Sequence, residues 1–321
     1  MKTRWIAAVV LAGQLAAQPL YAWDEIGHEV IARIAWNHMS ADARAAAAAL
    51  LSNAPEDSGL PALNPASGAA TTRRRVFFVE ASTWPDIVRD EAFPQRRRAY
   101  HRSNWHYVNY FFESTPEGPR DRPDVRGDTV NVVERLGRLE RSVVDLGRPS
   151  AERAVDLAWI LHLVGDVHQP LHTTARITPE SPRGDAGGNQ FLMNGTVNLH
   201  SYWDGTIKRA YRRQSGESEH AYVSRIATAI QREHPRSAFT PAQLDSASYE
   251  QWARAGFETA KTLVYSTPPG QAPSPAYRQA TIDASEQAAA LAGYRLARML
   301  NRLLAPTAAP ATAGSAPPTG E

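Results

Sequence analysis

The sequence predicts an all-α protein, a single-domain helical bundle, on three observations. Apolar residues recur at helical spacing over most of its length, and strand-like alternation is scarce. The longest apolar run past the amino terminus also carries its polar residues, His162 and Asp166, four apart on one helical face.

In chain order, residues 1–22 read as a secretory signal. Lys2 and Arg4 supply a positive start, an apolar run extends from Ile6 to Ala17, and Ala22 offers a small residue for cleavage before Trp23. That run is interrupted by Gln14 and is shorter than the roughly 20 residues of a bilayer span, so no membrane anchor is expected. Ile26, Val30 and Ile34 then mark a first helix. Residues 52–75, rich in Pro, Ala, Ser and Asn and closing on Arg73 to Arg75, read as a long surface loop. The aromatic stretch from Trp105 to Phe112 reads as an extended connector that carries side chains inward.

Val130, Val133, Leu136, Leu139 and Val143 predict a helix with one apolar face. Pro149 and Ser150 start the next, which runs through DLAWILHLVGDVH until Pro170 stops it. It is apolar almost all round, as the buried central helix of a bundle must be. Ala288, Leu291, Leu296, Met299 and Leu303 outline a closing helix. The remainder is Pro, Ala, Thr and Gly with few apolar anchors. The expected division is a signal at 1–22, one domain at 23–304 and a disordered tail at 305–321.

Composition narrows the chemistry. Hydrophobic residues make up 43% of the chain, enough for a sizeable core. The 35 Lys and Arg include Lys2 and Arg4, and without those two they only equal the 33 Asp and Glu. A diffuse basic surface is therefore no argument for nucleic-acid binding. The chain has no cysteine, which rules out disulfides and thiolate metal sites.

Five segments set His or Asp among apolar or aromatic neighbours: WDEIGHE at 23, WPD at 84, NWHYVN at 104, HLVGDVHQPLH at 162 and NLHSYWD at 198. His162 with Asp166, and His200 with Asp204, share the helical i, i+4 spacing. Either pair alone reads more readily as an ion pair or a satisfied core pair on a helix than as metal ligands. Five such segments together point to metal binding, because imidazole and carboxylate suit Zn²⁺ when thiolates are absent. His38, His101, His168, His220 and His234 lack this setting and read as surface or supporting residues.

The pattern resembles the zinc-dependent single-strand-specific nucleases of the S-one/P-one type, relatives of the bacterial zinc phospholipases C. The resemblance rests on the Trp23 to His28 start, the run HLVGDVHQPLH, and GDAGGN followed by NLHSYWD. It implies the helical fold of that superfamily and three Zn²⁺ per chain. One ion would be held by Asp86, His106, His162 and Asp166, with Asp166 bridging to a second held by His28 and the amino group and carbonyl of Trp23. The third would be held by His172, His200 and Asp204.

Two such ions can lower the pKa of a shared water toward neutrality, while the third stabilises the departing 3′ oxygen. The implied activity is hydrolysis of single-stranded DNA and RNA to 5′-phosphorylated products, with 3′-nucleotidase action as a further expectation. Asp166 is the expected catalytic centre. Tyr107 would stack on a base, and the GDAGGN loop would present Gly187 and Asn189 to it. Members of the family often carry an aspartate where this chain has Asn109, which can orient a water but cannot take its proton at neutral pH.

The expected protein is secreted or periplasmic and monomeric, with nucleic acid and nucleotides as its partners. Two other readings stay open, a zinc phospholipase C and an inert secreted zinc-binding protein.

Overall fold

The computed structural model describes residues 23–246 and 248–305. The expected signal segment at 1–22, and all but the first residue of the expected tail, lie outside the described residues. The helices are α1 Glu25–His38, α2 Ala41–Leu51, α3 Ala70–Ala81, the single turn α4 Trp84–Ile87, α5 Pro94–Tyr100, α6 Val132–Val144, α7 Ser150–Asp166, the short α8 Leu199–Asp204 and α9 Thr206–Ala210, α10 Glu219–Glu233, α11 Pro241–Asp245, α12 Tyr249–Thr262 and α13 Pro275–Leu304. The domain is mostly helical, as the apolar spacing requires.

Each long helix has a visible local cause. Asp24 accepts from the Gly27 N–H and starts α1, while Asn131 accepts from Val133 and Glu134 and starts α6. Val132, Leu136, Leu139 and Val143 are the buried stripe of α6, spaced to face one neighbour. That neighbour is α7, which is buried without a break from Leu157 to Asp166. Around α7 lie α1, α2, α6 and α13, and α1 packs along the length of α13.

Two segments differ from expectation. The loop after α2 reaches only residue 69: α3 begins at Ala70, so Arg73 to Arg75 are helical. Val76 to Val79 are buried, and the helix they need extends back through its partly exposed arginine turn. The aromatic connector is extended only from Tyr110, where it becomes β1 (Tyr110–Thr115). This strand is antiparallel to β2 (Gly118–Asp121) and parallel to β3 (Thr174–Ile177), giving the order β2-β1-β3. Tyr110 pairs with Thr174, and just before that register Val108 N–H donates to the His172 carbonyl at 2.8 Å. The small sheet thus holds the segment of His106 beside the segment of His172.

Candidate metal centre

The last turn of α7 is the floor of the site. His162 and Asp166 lie one turn apart on it, both fully buried. α1 crosses this turn closely enough that a Cβ at Gly165 would lie 2.8 Å from His28 Nδ1. The His28 ring stacks on His162 with centroids 3.8 Å apart, and His28 Nε2 comes within 3.5 Å of Asp166 Oδ1. Trp23 is fully buried and donates its indole N–H to the Gly165 carbonyl at 3.1 Å, while Asp24 N–H donates to the Asp204 carbonyl at 3.3 Å. The segment before α1 therefore runs between residues that flank Asp166 and Asp204.

Asp86, on α4, brings Oδ1 to 3.8 Å from His162 Nε2. His106 sets Nδ1 at 3.0 Å from Asp166 Oδ2 and 3.0 Å from His162 Nε2. On α8, capped by the Asn198 side chain, His200 Nε2 and Asp204 Oδ2 are 3.4 Å apart. His172 joins the two groups: its Nε2 lies 3.1 Å from His200 Nε2 and its Nδ1 3.7 Å from Asp166 Oδ1. Three triads can each gather one atom per residue within 4.8 Å: His28 with Asp86 and His162, His106 with His162 and Asp166, and His172 with His200 and Asp204.

The proton inventory argues for cations here. His162 Nδ1 is 2.8 Å from the Ser82 carbonyl, His172 Nδ1 is 2.7 Å from the His106 carbonyl, and His200 Nδ1 is 2.7 Å from the Gly187 carbonyl. A carbonyl only accepts, so in each ring Nδ1 carries the hydrogen and Nε2 is turned toward the cluster as the ligating nitrogen. The Nε2 atoms of His172 and His200 face one another at 3.1 Å, close enough for one cation to take both as ligands. Asp166 Oδ1, Asp204 Oδ2 and both ring nitrogens of His28 are buried without a hydrogen-bond partner. Unmade bonds at such density are costly unless the atoms are ligands.

Electrostatics agrees. Burial pushes Asp166 up to about 6 and Asp204 well above the usual carboxylate range. Burial, with neighbouring His162, holds His28 and His106 well below the usual imidazole range, and burial with His200 does the same to His172. Burial also opposes protonation of His162, but the carboxylates of Asp166 and Asp86 outweigh it and raise that group. The protein alone thus disfavours ionised carboxylates in this place. Dipositive ions would invert that balance by favouring carboxylate and needing neutral imidazole, so the donor set fits Zn²⁺ bound by nitrogen and oxygen.

Above the cluster is a pocket lined by Arg89, Ser103, His106, Tyr107, Asn109, Leu171, His172, Ala186, Gly187 and His200. The loop wall is tightly built: a Cβ at Gly187, where φ is +61°, would lie 2.5 Å from the Leu171 carbonyl oxygen. Ala186 also has positive φ, 53°, alone in this among the described non-glycine residues, which marks a strained turn facing the pocket. Asn189 is not among the lining residues, and its amide donates to the Ala186 carbonyl at 2.8 Å.

Three neighbours were missed from sequence. Arg89 lines the pocket with Nη1 at 3.2 Å from Asp86 Oδ1, and its signal was an arginine three residues beyond a candidate ligand on a helical turn. Gln169 donates to Asp204 Oδ1 at 2.6 Å and accepts from Leu171 N–H, from inside the motif HLVGDVHQPLH. Asp185 anchors the GDAGGN loop by accepting from Arg176 N–H, Gly188 N–H and the Tyr265 hydroxyl. Of the histidines set aside, His168 is buried, with Nδ1 against the Val164 carbonyl and Nε2 against Arg295.

Comparison with known proteins gives one family model, described as S1/P1 Nuclease, which matches residues 23–305. Among individual proteins, Endonuclease 3 of Arabidopsis thaliana is 27% identical over 208 residues, covering 63% of this chain and 60% of the relative. Endonuclease 5 of the same plant is 26% identical over 215 residues, 63% of this chain and 62% of the relative. Nuclease S1 of Aspergillus oryzae is 24% identical over 210 residues, 62% of this chain and 58% of the relative. The matches span about three fifths of the length of these relatives.

Proposed function

The chain belongs to the S1/P1 nuclease family, which is metal-dependent, and from that membership we propose that it is a zinc-dependent endonuclease. It hydrolyses phosphodiester bonds of single-stranded DNA and RNA and leaves 5′-phosphates. The observation that carries the reading is the convergence of His106, His162 and Asp166, and of His172, His200 and Asp204, each group offering one ligand atom per residue within 4.8 Å, with Asp166 Oδ1 and Asp204 Oδ2 buried and without a hydrogen-bond partner. Such a set needs cations, and three fit the residues at hand. Asp86, His106, His162 and Asp166 would hold one; Asp166, His28 and the amine and carbonyl of Trp23 would hold the next; His172, His200 and Asp204 would hold the third. When bound, zinc supplies Lewis acidity at the phosphate and acidifies water toward neutral pH.

The chain's own groups do the rest. Arg89, held by Asp86, puts a permanent cation on the pocket wall for the phosphate oxygens. Tyr107 is half-buried at the rim and offers a ring face to an unstacked base, which a rigid duplex cannot deliver to so recessed a site. Ala186 and Gly187 give that base a backbone edge. Asn109 orients a water by hydrogen bonding and leaves its proton to be taken elsewhere. Signal cleavage before Trp23 would place the protein outside the cytoplasm, and among the described residues no helix is long and apolar enough to cross a membrane.

The experiment compares release of acid-soluble nucleotides from single-stranded DNA with release of phosphocholine from lecithin, both with and without chelator. Chelator-sensitive nucleotide release is expected. Phosphocholine release alone would make the protein a phospholipase C, and zinc content without turnover on either substrate would make it an inert zinc binder.

A further inference from the structure

A second group of metal-type donors lies away from the site described above. Glu29 of α1, Glu80 of α3 and Glu219 in the first turn of α10 each offer one carboxylate oxygen, all within 4.8 Å of one another. Acidic clusters on a surface are common and usually solvated, but Glu29 is not on the surface. It is 3% exposed, and its Oε2 is buried with no hydrogen-bond partner. Cations of the chain do not answer it: among the described residues no ion pair reaches Glu29. Arg213 sits 3.7 Å from Glu219 on the open side, His220 sits 3.8 Å from Glu80, and Lys208 is engaged by Glu25 at 2.8 Å.

Three carboxylates from three helices are an unfavourable assembly unless a proton or a cation joins them: burial, with Glu80 and Glu219 beside it, pushes Glu29 up to about 9, and a bound cation would replace that proton. An all-oxygen set suits a hard ion rather than zinc, which favours nitrogen donors. Among hard ions Ca²⁺ accepts six to eight oxygens in irregular geometry, using carboxylates singly or in pairs and water for the rest. Water has access here, since the Glu219 side chain is 46% exposed and that of Glu80 25%.

We propose that Glu29, Glu80 and Glu219 bind one calcium ion that ties α1 and α3 to α10. The inference stands apart from the nuclease reading. Its consequence reaches the other site, however, because Glu29 adjoins His28 and α3 leads directly into the turn that carries Asp86. The ion braces the two elements that present those side chains.

The test uses the zinc-loaded full chain, dialysed into calcium-free buffer that contains zinc and then titrated with CaCl₂. Saturating calcium is expected to raise Tm by about 5 °C, with one calcium bound per chain in equilibrium dialysis. Glu219→Gln lies at the solvent edge, where folding does not depend on it. It should lose the shift and weaken calcium binding roughly tenfold or more, with zinc content unchanged. Glu29→Gln should lose the shift as well. No calcium shift in the wild type, or an undiminished shift in Glu219→Gln, overturns the proposal.

Discussion

Gly165 is a residue whose replacement separates two physical effects. In an unobstructed helix, alanine in place of glycine stabilises by up to about 1 kcal/mol. Here the added methyl would lie 2.8 Å from His28 Nδ1, so α1 or the imidazole must shift. Gly165→Ala is therefore expected to lose zinc and turnover while far-UV circular dichroism stays helical; full zinc content in the variant would show that His28 does not need its present place. Asp166 and Tyr107 separate metal from substrate in the same way. Asp166 stands between His28 and His106, at 3.5 and 3.0 Å, so Asp166→Ala should cost metal and nearly all activity on every substrate. Tyr107→Ala should keep its zinc and lose roughly tenfold to a hundredfold in kcat/KM, since stacking contributes about 1 to 3 kcal/mol per base. Zinc loss from Tyr107→Ala, measured by metal analysis, would mean that the ring supports the cluster instead of the substrate.

At the scale of elements, the start of α1 makes the most unusual demand. A free α-amino group has a pKa near 8 and gives up its proton at modest cost, whereas an amide nitrogen has no lone pair for a metal at neutral pH. Trp23 is locked by its indole bond to Gly165, so the chain cannot draw its backbone away to compensate. Protein made with a methionine retained before Trp23 is expected to fold, to hold about two zinc ions per chain and to show little nuclease activity. Protein that begins at Trp23 should hold three and be active. Equal zinc content and equal turnover in the two forms would reduce Trp23 to a buried aromatic residue.

Over the whole molecule, the candidate ligands come from residues 23 to 204 and from α1, α4, α7, α8 and the connectors between them. Ions bound there would cross-link segments that are otherwise held by hydrophobic contacts and a few backbone hydrogen bonds, and a ligand of the native state stabilises it by the logarithm of its free concentration over its Kd. A zinc-selective chelator such as phenanthroline, which leaves calcium in place, should lower Tm by roughly 10 °C and abolish hydrolysis. An unchanged melting curve, once metal analysis shows the zinc to be gone, would remove the metal from the fold.

Helical spacing is local information, and it was enough to read α6, α7 and the last turns of α13 from the sequence. Their buried stripes follow from positions three and four apart, whatever the rest of the chain does. The donor types were legible for a similar reason: His and Asp set among tryptophans and leucines are conspicuous in any fold. Distance decided the rest. The expected loop lost its last quarter, residues 70–75, to α3 because the buried Val76 to Val79 required a helix that extends back through Arg73 to Arg75. Asn189 spends its amide on Ala186, and Arg89 enters the pocket through Asp86; neither orientation is written in a spacing. The protonated nitrogen of each imidazole is set by the carbonyls of Ser82, His106 and Gly187, which are 80, 66 and 13 residues away from their partners. No spacing in the chain announces that packing sets Glu29 against Glu80 and Glu219, with its Oε2 buried and without a hydrogen-bond partner. Sequence determined which chemical groups this protein has and which helices carry them, because both depend on neighbours within a turn or two. Only the tertiary structure decided which lone pairs face one another, because that depends on how closely α1, α3, α7 and α10 pack.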